Sequence, residues 1–282
     1  MIDYFSNKSD MHLHTIASDG KLNGSQIIEL AHKFGLKNIS VTDHDSIKVY
    51  KSNDINYHKT AREHGVNLIT GIEMDSDYNG VEVHILGYDF DVKNLQLNQY
   101  LSEVSYQRKR RIIEQIYEIN NKIGREIVKQ EDIINEFCDT YMKPHLILEL
   151  KKTQYFDGKT YKEIKLWLAE NISVKTEVIK PESNRIVRML KDAGAKVFLA
   201  HPGYYIFYKS LELEALITEL QIDGLDGIEL IYPYAGEGSE INIETEKELI
   251  KNLKLLAKKF SLSISRGSDT HDQARFKSFN NN

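Results

Sequence analysis

Residues 10–46 read DMHLHTIASDGKLNGSQIIELAHKFGLKNISVTDHDS, a strand–helix–strand passage with polar residues gathered at the strand ends. In Asp10-Met11-His12-Leu13-His14 the histidines alternate with apolar residues. Alternate residues of a strand share a face, so His12 and His14 can approach one metal ion. Ser18-Asp19-Gly20 follows. From Ser25 to Phe34, the side chains of Ile27, Leu30, Ala31 and Phe34 line one helical face, and Gly35 is a C-terminal stop. Lys37 to Thr42 reads as the next strand, and it runs into Asp43-His44-Asp45.

The same pattern recurs outward from this passage. Val66–Ile72, Val81–Tyr88, Lys196–Ala200, Gly227–Tyr232 and Ser261–Ser265 read as strands, and Lys247–Lys259 as an amphipathic helix. Strands alternating with helices predict a parallel α/β architecture. Glu73 follows Gly71-Ile72, His84 sits within Val83-His84-Ile85, His201 opens His201-Pro202-Gly203, and Ser268-Asp269-Thr270-His271 follows the last strand. A lone HxH is weak evidence for metal. Residues at the C-terminal ends of parallel strands converge on one surface, however, and here six such places carry His, Asp or Glu. His32, His58 and His64 lie on or beside helices and are read as structural or solvent-facing.

The middle of the chain differs. From about Asn94 to Lys180 the pattern is mostly helical, which predicts a barrel formed by 1–93 and 181–282 and a helical insertion, 94–180, as a substrate cap. Ile112, Ile116, Ile119 and Ile123 share a helical face, ended by Gly124. At about 100° per residue, Arg108 falls within that stripe and Arg111 at its edge. An arginine on an apolar face needs a partner, either a substrate phosphate or an acidic neighbour. The phosphate clamp is preferred for Arg108 and level with the alternative for Arg111. Lys143-Pro144-His145 could open a helix toward the site, and Arg266, two residues before Ser268, is a further candidate.

Bulk properties narrow the function. The 282 residues carry a formal net charge of −5 with no long basic run, which argues against long duplex nucleic acid as a partner. No apolar stretch approaches the roughly 20 residues of a membrane span, and the N-terminus lacks a signal-peptide pattern. A single cysteine, Cys138, leaves no thiolate cluster for metal. A cytoplasmic protein is the expectation, and nothing in the sequence bears on its oligomeric state.

The opening run resembles that of PHP-domain (polymerase and histidinol phosphatase) phosphoesterases. Glu73 in TGIE, His84, His201 in AHPG, and Asp269 and His271 in GSDTH follow in the family's order. The resemblance implies a distorted (β/α)7 TIM-like barrel with two or three divalent metal ions, Mn, Fe or Zn. It implies His12, His14, Glu73 and Asp269 around one ion, with Glu73 bridging to a second held also by His84 and His201. Asp19, His44 and His271 would hold the third. Asp43 becomes a candidate for orienting a ligand. The insertion resembles that of nucleotide-directed members, although Lys143 stands where their pattern tends to have arginine. Arg108, Arg111, Lys143, His145 and Arg266 are therefore the candidate substrate-binding residues.

The expected reaction is hydrolysis of phosphate esters of nucleotides or short oligonucleotides, with a metal-bridging hydroxide near Glu73 as nucleophile. His201 or His271 would assist the leaving group where not committed as a ligand. Histidinol phosphate or another small monoester is the alternative substrate. An amidohydrolase-type C–N hydrolase also begins with HxH but commonly bridges its metals through a mid-barrel lysine. A non-catalytic metal module is disfavoured by the full ligand set.

Overall fold

The computed structural model describes residues 3–235 and 239–281. β1 (Ser9–Leu13) and β2 (Asn38–Val41) flank α1 (Gly24–Lys33), whose N-terminus is closed by an Asn23–Gln26 capping box. α2 (Tyr57–Glu63) leads into β3 (Asn67–Tyr78) and β4 (Val81–Tyr88). Next come α3 (Leu95–Ile123), α4 (Lys143–Leu150) and α5 (Tyr161–Asn171), then α6 (Ser183–Asp192) and β5 (Lys196–Leu199). The chain ends with α7 (Pro202–Lys209), α8 (Leu213–Ile222), β6 (Gly227–Ile231), α9 (Ile243–Lys259), β7 (Ser263–Arg266) and α10 (Gln273–Asn280). No described helix is long and apolar enough to cross a membrane.

The seven strands form one sheet in chain order. A parallel bridge from Leu13 to Thr270, reinforced by a bond from His14 N to Thr270 O of 2.9 Å, brings its two edges together, so the sheet is a nearly closed, distorted TIM-like barrel. One strand departs from the all-parallel expectation. β4 runs antiparallel to both β3 and β5. The reason is local: only Asn79 and Gly80 separate β3 from β4, and both have left-handed backbones (φ 52° and 82°), as a tight hairpin turn requires. A reversed β4 also explains His84. Its position early in β4 places it opposite Asp75, at the end of the barrel where the parallel strands finish.

Strand alternation puts Ile69 on the face of Glu73, and Leu86 and Tyr88 on that of His84. With Met11, Phe198 and Ala200 these apolar residues form a buried cluster beneath the polar rim. α3 bridges two cores. Leu97 and Leu101 belong to the barrel's cluster, while Ile112, Ile116 and Ile119 pack with Leu146, Ile147 and Ile164 of the helical segment. Gly124 ends α3 in a left-handed conformation (φ 78°). Near the end of α10, Asn280 Nδ2 donates to the buried Asp10 carboxylate at 2.7 Å. Asn282 lies outside the described residues.

Candidate metal centre

The rim residues are gathered about one carboxylate. Glu73 Oε2 lies 3.1 Å from His12 Nε2, 3.2 Å from His14 Nε2 and 3.3 Å from His44 Nε2. Its other oxygen lies 3.0 Å from His84 Nδ1 and 3.2 Å from His201 Nε2. Asp269 Oδ1 is 3.1 Å from His14 Nε2, and Asp19 Oδ1 is 3.1 Å from His271 Nε2. Four sets each have their donor atoms within 4.8 Å of one another: His12, His14, Glu73 and Asp269; Glu73, His84 and His201; His14, Asp19, His44 and His271; and His44, Asp75 and His84. All nine positions singled out from the sequence come together. His32 and His58 instead meet backbone carbonyls of His64 and Leu68, and His64 meets that of Thr60.

The donor chemistry suits divalent cations. His14 Nε2, though close to two carboxylates, is buried without a hydrogen-bond partner. Burial alone would drive His12, His14, His44 and His84 toward the neutral form, but Glu73 and neighbouring carboxylates outweigh it and raise all four, His14 to about 10. Burial alone would raise Glu73, yet His44, His12 and His84 hold it well below the usual carboxylate range. A bound cation would compete with protons for these four imidazoles, because ligation needs the neutral ring.

Outer partners fix the ligands' orientation. Asp43 accepts from Thr15 N at 2.7 Å and Ser18 Oγ at 2.6 Å, so it orders the loop between His14 and Asp19 instead of capping a strand. Two residues not anticipated from the sequence do the same elsewhere. Asp75 Oδ1 meets His44 Nδ1 at 2.9 Å. Glu229, fully buried, meets His12 Nδ1 at 3.0 Å and accepts from His201 N at 2.9 Å. Gly267 makes room for this, because a Cβ there would sit 2.3 Å from both Glu229 Oε1 and His12 Cβ. Glu229→Ala is expected to weaken metal binding by roughly 10–100-fold, the usual cost of losing such a partner, with Glu229→Gln losing less. Titration of the apo-protein with Mn checks this; unchanged affinity in Glu229→Ala would remove Glu229 from the centre.

The substrate-binding candidates scatter more widely. Arg108 is buried and its Nη2 pairs with both Asp45 and Asp75, the latter at 2.8 Å. Arg108 thus has the acidic neighbours of the second alternative, and it also lines the cavity over the metal-site residues. His145 opens α4, but its Nε2 meets Ser18 O at 2.8 Å and its Nδ1 meets the Met142 backbone, so it latches the helical segment to the barrel. Arg266 points to structure also: it donates to Ser9 O at 2.7 Å and lies over the Phe279 ring, tying α10 to β1.

Arg111 and Lys143 face the same site as Arg108. They line a cavity of about 640 Å³ that also exposes His84, His201 and Asp269. Burial, then the nearby cations Arg111, Lys165 and Lys180, lowers the Lys143 ammonium below its ordinary value. Lys180 is paired with Glu82, whereas Lys143 and Lys165 have no acidic partner among the described residues. Tyr205 and Tyr234 bond to the backbone at His84 N and Gly203 N, Tyr232 donates to Asp269 Oδ2 at 3.0 Å, and Tyr204 lines the cavity.

Residues 10–158 match the PHP domain family. A 5′-3′ exoribonuclease of Haemophilus influenzae is 26% identical over 94% of this chain and 90% of its own. A 3′,5′-nucleoside bisphosphate phosphatase of Chromobacterium violaceum is 24% identical over 93% of this chain and 86% of its own. Among solved structures, one from Bifidobacterium adolescentis assigned as a metal-dependent phosphoesterase superposes with a TM-score of 0.74 at 22% identity, covering 94% of this chain and 88% of that one.

Proposed function

The chain belongs to the PHP-domain family, and from that premise we propose that it is a metal-dependent phosphoesterase acting on nucleotides or short oligonucleotides. The observation that carries this reading is the convergence of five imidazoles on Glu73 beneath a cavity whose outer wall is cationic. Relatives that act on RNA and on nucleoside bisphosphates support it.

In this reading His12, His14, Glu73 and Asp269 would hold one cation. Glu73, His84 and His201 would hold a second, and Asp19, His44 and His271 a third. Two or three ions of Mn, Fe or Zn suit imidazole and carboxylate donors. When bound, such ions neutralise phosphoryl oxygens and make a strong nucleophile of water at neutral pH. Glu73 spans two of the sets with its two oxygens. Asp75 and Glu229 keep His44 and His12 turned inward. Arg111 and Lys143 meet a second anionic group of the substrate on the opposite wall. Lysine offers a point charge there, so it positions that group less rigidly than an arginine fork. His271 has Nδ1 on Asp269 O and Nε2 against Asp19, and His201 turns Nε2 toward Glu73, so both imidazoles are committed to the donor sets.

The test is phosphate or mononucleotide release by the Mn-loaded protein from four substrates: adenosine 3′,5′-bisphosphate, a 5′-phosphorylated short RNA, histidinol phosphate and p-nitrophenyl phosphate. Preference for the first two is expected. Preference for histidinol phosphate would overturn the nucleotide assignment, and no release despite bound metal would overturn the enzyme.

A further inference from the structure

The cavity continues onto an aromatic row. Tyr204 and Lys209 line it, and both belong to α7, the helix that follows His201. The Tyr204 ring lies edge-on to His201 with centroids 6.1 Å apart, and the Tyr208 ring is 4.8 Å from that of Tyr204. Phe207 adds a third ring 4.9 Å from Tyr208. At about 100° per residue these three fall within a sector of about 100° of the helix. They are 38–39% exposed, so large faces remain in water. A cluster of exposed rings beside a site is a binding feature more often than an accident of packing.

Two features of the cavity identify what covers the row. Lys143, Lys165 and Lys209 line the same space and have no acidic partner among the described residues. A ligand that satisfies both features carries repeated anionic groups and repeated flat faces. Single-stranded nucleic acid does so, with phosphates against lysines and bases against rings. A peptide would answer the rings or the lysines but has no reason to alternate the two.

We propose that Tyr204, Phe207 and Tyr208 are a stacking platform for bases of a single-stranded oligonucleotide whose reacting phosphate lies at the metal centre. This rests on the nucleotide phosphoesterase reading and narrows it: the preferred substrate is a short strand of several nucleotides, not a mononucleotide.

The experiment compares kcat/KM of the Mn-loaded full chain for adenosine 3′,5′-bisphosphate and for 5′-phosphorylated RNAs of two, three and five nucleotides. The wild type is expected to improve with length, chiefly through KM. In Tyr208→Leu the ratio of pentanucleotide to bisphosphate kcat/KM should fall about tenfold, in the range that loss of one base–aromatic stack produces. Tyr208→Phe should keep the wild-type ratio. An unchanged ratio in Tyr208→Leu overturns the platform. So does an equal fall in Tyr208→Phe, since the hydroxyl's contacts with Ser239 Oγ and Glu240 N, both 3.2 Å, would then account for the effect. A flat length dependence in the wild type overturns it without any variant, leaves the phosphoesterase standing, and points to a protein partner for the row. If no nucleotide is hydrolysed, both readings fall.

Discussion

Glu73→Ala is expected to lose bound divalent metal and ester hydrolysis together, while His58→Ala keeps both. Glu73 alone among the nine touches five imidazoles, through both oxygens. Its removal takes one donor from two sets at once and leaves His84 and His201 as the remaining pair of the second. The loss should therefore exceed the roughly 10–100-fold that follows from removing an outer partner. Glu73→Gln separates charge from shape. The amide keeps one oxygen but can no longer offer two anionic donors, so metal content should fall nearly as far. His58 is the control because it is a histidine of the same barrel that meets Leu68 O at 3.0 Å and, among the described residues, lies outside every donor set. Metal content after dialysis and turnover of adenosine 3′,5′-bisphosphate read the two outcomes. Full metal and full turnover in Glu73→Ala would show that the centre is not built on this carboxylate.

The ligands were legible because two independent signals coincided, residue type and position at a strand end. His12 with His14, His44 after Thr42-Asp43, and Asp269 with His271 each satisfied both. His84 satisfied only the first, and the antiparallel β4 supplies the reason it reaches the site. Asp75 is not legible in the same way because the apolar run ends at Ile72, whereas β3 runs to Tyr78 and places Asp75 on the face of Glu73. Asn79-Gly80 was the available sign of a hairpin, and with it Asp75 alternates with Glu73 and falls opposite His84. Glu229 lay hidden inside the apolar run Gly227-Ile228-Glu229-Leu230, where a buried acid is itself a signal. Arg108 shows the limit of helical periodicity. The stripe correctly turned it inward, but its partners Asp45 and Asp75 are 63 and 33 residues away, and no local pattern names them.

That pairing leads to the largest expected effect on stability. Arg108→Met removes the guanidinium and leaves Asp45 and Asp75 buried, 1% and 3% exposed, without their cation. Breaking a buried pair from one side typically costs about 3–5 kcal/mol, because the surviving charge has neither water nor partner. For a chain of this size the melting temperature should drop on the order of 10 °C. Burial alone would raise Asp75, and Arg108, then His44 and His84, overcome this and hold it well below the usual carboxylate range. Without Arg108 that carboxylate leans harder on His44, so the metal sets containing His44 are disturbed as well. Adding Asp45→Asn and Asp75→Asn to Arg108→Met should restore much of the lost stability in the metal-free protein, since no net charge then stays buried. A substrate clamp predicts the opposite pattern: KM rises, the melting temperature holds, and the two asparagines rescue nothing. Thermal unfolding of the single and triple variants, read beside KM for the bisphosphate, separates the two. A stable Arg108→Met with a raised KM would return the arginine to the substrate. The expected result makes it the pin by which α3 holds the helical segment against the rim, through the same Asp75 that orients His44.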